Sequence, residues 1–188
     1  MSRSRTLIRV ALLLMLALVA FAARQAPASA LSTGVVISQV YGGGGNGGAT
    51  YTNDFVELFN RGTTSVSING WSIQYAATAG TSWTNKTDLP NVSIAPGQYY
   101  LVQMASGGAN GIALPTPDHT ATGINMSGSA GKVALMSTTT VITSGTACPS
   151  TNVVDLVGFG PATNCSETAP TTPDLTATTA AIRAGSGC

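Results

Sequence analysis

The chain has 188 residues with 8 Lys+Arg against 7 Asp+Glu, and only 8% of its residues are charged, where an ordinary soluble protein carries ~25%. Four of the cations (Arg3, Arg5, Arg9, Arg24) stand in the first thirty residues, which leaves Arg61, Lys86, Lys132 and Arg183 against all seven acidic residues, a net of −3. Scattered cations on a net-acidic chain build no phosphate-binding stripe, so direct nucleic-acid binding is not expected, and no helix has the charged face an amphipathic surface helix needs.

The first element in chain order is a targeting segment. Arg3, Arg5 and Arg9 precede an uncharged apolar run over residues 10–23, and Ala28-Ser29-Ala30 supplies the small-residue pattern a signal peptidase cuts. The run is shorter than the ~20 residues a membrane span needs. Residues 1–30 therefore read as a signal peptide cleaved after Ala30, which makes the product secreted, with no membrane span after cleavage.

Beyond it the apolar pattern has period two, the signature of strands. Residues 35–41 (VVISQVY) and 55–60 (FVELFN) alternate, the second with Phe55, Glu57 and Phe59 on one face. Residues 65–68 end at the turn pair Asn69-Gly70. Trp71, Ile73 and Tyr75 then share a face of the next strand, and residues 78–80 turn the chain towards Trp83. Short strands follow at 92–94, 99–103, 132–136 and 153–159. Residues 105–130 read as a long loop with room for a brief helical turn, and 168–179, rich in Thr, Pro and Ala, as an extended or loose surface stretch. Eight or so short strands between Gly, Pro and Asn turns predict a β-sandwich or barrel, a single domain over residues 31–188.

Residues 42–48 (GGGGNGG) contain the spacing G-x-G-x-x-G after a strand. A dinucleotide fingerprint must open a helix there, and here a polar stretch and a second strand follow, so a flexible loop is expected and no cofactor. Gly131-Lys132-Val133 lacks the remainder of a phosphate loop. His119 is the only histidine, beside Asp118 in a polar loop, and no nucleophile motif accompanies it, so no catalytic residue is expected.

Asp54 and Glu57 lie three apart on a strand and so face opposite ways, which suits no acid–base pair. Asp54 is placed to cap loop amides, with a Ca²⁺ site built from loop oxygens as the weaker alternative. Glu57, beside two phenylalanines, sits at an edge or is buried with a partner such as Arg61. Trp71 and Trp83, with Tyr75, Tyr99 and Tyr100, are the candidates for a carbohydrate-stacking strip, but Trp71, Ile73 and Tyr75 alternate like core residues. Trp83 is the least constrained, and an exposed aromatic strip would bind carbohydrate.

Three cysteines remain. In an oxidising compartment Cys148–Cys165 is the expected disulfide, worth ~3 kcal/mol in the chain-entropy model. Cys188 is left over, and an odd cysteine signals an intermolecular bond, a free thiol or a shortened chain, the last being the preferred expectation.

Residues 35–77, with NDFVELFN and INGWSIQY in that order, followed by SIAPGQYYLVQ, LPTPD, GKVALM and VDLVGFGPATNC, resemble the lamin tail domain as found in exported bacterial proteins. The resemblance covers about residues 35–165. It implies an immunoglobulin-like β-sandwich and a non-catalytic binding or attachment module, often found at the N-terminus of secreted nucleases or phosphoesterases of the endonuclease/exonuclease/phosphatase type. It carries over no catalytic residues. Similar domains continue past this chain's end with an acidic, Asn-rich stretch, so a truncated C-terminal part is expected. The expected role is a secreted attachment domain presenting residues 42–53 and 105–130 to an extracellular or cell-surface protein or glycan. The alternatives are the accessory domain of a secreted phosphodiesterase, and a carbohydrate-binding module.

Overall fold

The computed structural model describes residues 32–184, so the expected signal peptide, the expected cleavage after Ala30 and Cys188 lie outside the described residues. Alternating β-branched and aromatic residues give β1 (Val35–Tyr41), β2 (Phe55–Asn60), β4 (Ser72–Ala77), β7 (Tyr99–Gln103), β9 (Gly131–Met136) and β10 (Val153–Phe159). Shorter pieces complete the set: β3 (Val66–Ser67), β5 (Asn85–Asp88), β6 (Ser93–Ile94), β8 (His119–Thr120) and β11 (Ala181–Ile182). No helix occurs among the described residues, so the helical turn anticipated within 105–130 is replaced by irregular chain and β8.

Two sheets face each other, one in the order β11-β1-β2-β7-β8 and one in the order β10-β9-β4-β5, with β3 and β6 as a small ribbon. This is the β-sandwich that the alternation implies, of the immunoglobulin-like kind that the resemblance implies. Val56 and Leu58 of β2, Ile73 and Tyr75 of β4, and Val133 and Leu135 of β9 meet between the sheets, and Trp71 packs against them. At one end Asn60 ties the chain, donating from Nδ2 to the carbonyls of Thr64 and Ile94 and accepting from the Gly62 amide.

The β10-β9-β4-β5 sheet also carries a second, smaller core on its outer face, in which Trp83, Ala134, Met136, Ile142, Leu156 and Cys165 are buried. The disulfide joins Cys148 to Cys165 over this layer. Trp83 is 0% exposed, with Nε1 donating to the Thr146 carbonyl at 2.8 Å. It is therefore a core residue, not the exposed member of a sugar-stacking strip, because residues from the segment after β9 roof it over. Of the other aromatics, Tyr75 and Tyr100 are buried and Trp71 half-buried. Tyr99, 47% exposed and packed on the Phe59 ring, is the one of the five that stands out, so together they form no exposed strip.

Candidate functional site

β1 ends at Tyr41 and β2 starts at Phe55, paired partners in the register. β7 leaves the sheet after Gln103, opposite Phe55, and β9 begins at Gly131 opposite Ala77 of β4. All four ends point the same way, so residues 42–54, 104–130 and 174–180 gather at one end of the sandwich.

Three side chains fasten them. Asp54, 1% exposed, accepts the Gly44 amide on Oδ1 at 2.8 Å and the Met126 amide on Oδ2 at 2.7 Å. Its own backbone bonds both Met104 and Ala105. Burial pushes its carboxyl from 3.8 up to about 6, against the pull of the Met126 and Gly44 amides. Tyr41 donates its hydroxyl to the Ala177 carbonyl at 2.6 Å and accepts the Thr50 amide at 3.1 Å. The Tyr75 hydroxyl accepts the Ser127 amide at 3.0 Å, and burial raises its pKa.

The glycine run is not the flexible loop its composition suggests. Residues 42–45 are buried. A Cβ at Gly44 would stand 2.1 Å from the Asn53 carbonyl carbon, and one at Gly42 would stand 2.3 Å from the Ser127 oxygen. Glycine is required because backbones cross here. Gly45 forms a bridge with Asn110, and Tyr51 forms one with Ile112, so the tips lie on a fixed base. Asn46, Gly47, Gly48 and residues 107–113 are exposed, and Ile112 stands out at 67% exposure. A rigid base carrying exposed uncharged tips is an arrangement that can recognise a surface.

Residues 28–160 match the Lamin Tail Domain. The chain belongs to the lamin tail domain family. That family is one of non-catalytic, immunoglobulin-like domains. No curated protein matches the chain.

Within this lamin tail domain the sequence-predicted polar residues are dispersed. Glu57 is half-buried and accepts from the Ser38 hydroxyl at 2.7 Å. Arg61, the partner proposed for it, lies past the end of β2 and is exposed. His119 pairs with Val102 through β8, and the Asp118 carboxylate accepts the Leu101 amide at 2.8 Å. Asp54, Glu57 and His119 share no hydrogen bond. Both Asp54 oxygens are taken by amides, and among the described residues no three His, Cys, Asp or Glu side chains gather into a group that could hold a metal ion.

Two ionic clusters escape sequence reasoning. Arg183 reaches Asp155 through Nη2 at 2.6 and 2.8 Å, Glu167 through Nη1 at 3.2 Å and the Ile37 carbonyl through Nε at 3.0 Å. Burial, then the Asp155 charge, raises Glu167 from 4.5 to about 7. Lys132, 0% exposed, donates to the Ala147 carbonyl at 2.7 Å and to Asn164 Oδ1, with Nζ 5.3 Å from the Trp83 ring centroid. Burial lowers its pKa. Long-range partners leave no local signal. For Lys132 the one local signal available is a lysine set among apolar neighbours in GKVALM.

Proposed function

We propose that this lamin tail domain is an exported, non-catalytic attachment module whose loop end, residues 42–53 and 105–130, contacts a neutral surface on an extracellular or cell-surface protein. The observation that carries it is the exposed, uncharged set of tips around Ile112, seated on loops that Asp54 and Tyr41 hold rigid. Rigid positioning lowers the ordering cost of association, and an exposed aliphatic side chain framed by polar neighbours suits the centre of an interface. Export rests on the basic start, the apolar run and Ala28-Ser29-Ala30. The same surface would serve equally if the domain escorted a secreted phosphodiesterase. Retention of the labelled protein on cells and envelope of the organism that makes it, wild type against Ile112→Lys, tests the proposal.

A further inference from the structure

Residues 166–170 form a strap beside β10 that is pinned at its two ends. At one end Cys165 is buried in the second core and bonded to Cys148. At the other, Thr171 donates its amide to the Gly158 carbonyl at 3.2 Å and accepts the Gly160 amide on Oγ1 at 3.1 Å. Between these pins the strap makes no backbone hydrogen bond to any described residue. Its one side-chain bond runs from Arg183 Nη1 to Glu167 at 3.2 Å. Ser166, Glu167, Thr168 and Ala169 form one wall of a slot of about 200 Å³, and β1, β10 and β11 form the rest. A segment with so few bonds belongs to the low-stability end of a fold, where local opening occurs.

The single anchor of the strap is short of positive charge. Asp155 takes the Ile37 amide at 2.6 Å and the Arg183 Nη2 at 2.6 and 2.8 Å, so its charge is matched. Glu167 has only the other arm of the same guanidinium. Among the described residues Arg183 is the only cation lining the slot, and β1 adds the neutral Ser38 and Gln39. Glu57 of β2, reached through the Ser38 hydroxyl, is acidic as well. Two carboxyls on one guanidinium leave a buried negative charge uncompensated when both ionise. Keeping a proton, or letting the carboxylate reach water, avoids that cost.

We propose that residues 166–170 are a pH-gated strap: a proton on Glu167 holds the strap down over the slot, and its loss turns Glu167 out to water and lifts the strap between its two pins. Burial, then the Asp155 charge, raises Glu167 to about 7, which supports this order of events. The closed form keeps a proton that the open form releases. Closing is therefore favoured on the acid side and is given up as pH rises through about 4.5 to 7. The strap is a separate element from the loop end and its test does not involve Ile112, so either proposal can fail while the other stands.

The test is ¹³C relaxation of the labelled protein between pH 5 and pH 8, with the Glu167 carboxyl carbon followed in the same samples. The Cα order parameters of residues 166–169 should stand near ~0.85 at pH 5 and fall below ~0.6 at pH 8, while β1 and β10 stay rigid. The midpoint of that fall should coincide with the Glu167 titration. Glu167→Gln, which keeps an acceptor for Arg183 and cannot ionise, should hold the strap rigid at both ends of the range. Four results would overturn the proposal. Glu167 could titrate at the ordinary 4.5, or the strap could stay rigid while Glu167 titrates. Loosening could spread equally through β1 and β10, or Glu167→Gln could follow pH as the wild type does.

Discussion

Asp54 is the residue on which the loop end depends, because its two oxygens are the acceptors for two buried amides from loops far apart in sequence. Removing the carboxylate strands both donors, and each buried unpaired group costs about 1–3 kcal/mol. Asp54→Ala should therefore destabilise the domain by about 2–4 kcal/mol in urea titration, with amide exchange rising first at Gly44 and Met126. An effect below about 0.5 kcal/mol, the size typical of an inert surface site, would mean that the carboxylate is not the fastener. Lys132 shows the opposite economy, a single cation whose desolvation is offset by carbonyl oxygens and the face of Trp83.

At the scale of elements, the outer layer on the β10-β9-β4-β5 sheet is held by the Cys148–Cys165 bond and by the Trp83 and Lys132 bonds to Thr146 and Ala147. The double variant Cys148→Ser/Cys165→Ser should lose about 3 kcal/mol and release this layer before the main core. Hydrogen-exchange mass spectrometry should show residues 142–152 opening while β1 and β2 stay protected. Uniform loss of protection would show that the layer is not a separate unit.

Elements with clean alternation were legible in the sequence: β1, β2, β7 and β10 fall on the predicted residues. β5, with the sequence NKTD, has no apolar alternation to read, since it is a solvated edge. The register shift between Val153 and Asp155 brings a carboxylate across to the Ile37 amide of the facing sheet, against the simple count of twos. Asp54 as a cap on loop amides was legible from its place ahead of a strand and after polar loop residues. Its distant partners Gly44 and Met126 were not, nor was the Asp155–Glu167–Arg183 set, because nothing local marks contacts made across the fold.

For the whole molecule, two carboxyls titrate high: Glu167 at about 7 against 4.5, and Asp54 at about 6 against 3.8. A raised folded pKa on an acid means that the folded chain keeps a proton the unfolded chain has released. Stability is then greatest on the acid side and falls as pH rises through about 4 to 7. The Tm at pH 5 should exceed that at pH 8 by several degrees, as each kcal/mol moves a domain of this size roughly 2–4 °C. Glu167→Gln should flatten the dependence near neutrality. A Tm that rises steadily from pH 5 to pH 8 would contradict these ionisations. Burying Asp54, Lys132, Asp155 and Glu167 thins an already sparse surface charge further, and a surface rich in Thr, Ser, Asn and Gly steers no charged partner from a distance.

That neutrality makes cell retention the most direct test of attachment through the loop end. The labelled protein should bind cells and isolated envelope saturably, lose about tenfold in affinity with Ile112→Lys, and bind as well in 0.5 M as in ~0.1 M salt, where exposed charges are already largely screened. Retention unchanged by Ile112→Lys, abolished by salt, or missing altogether would contradict an attachment module working through this surface.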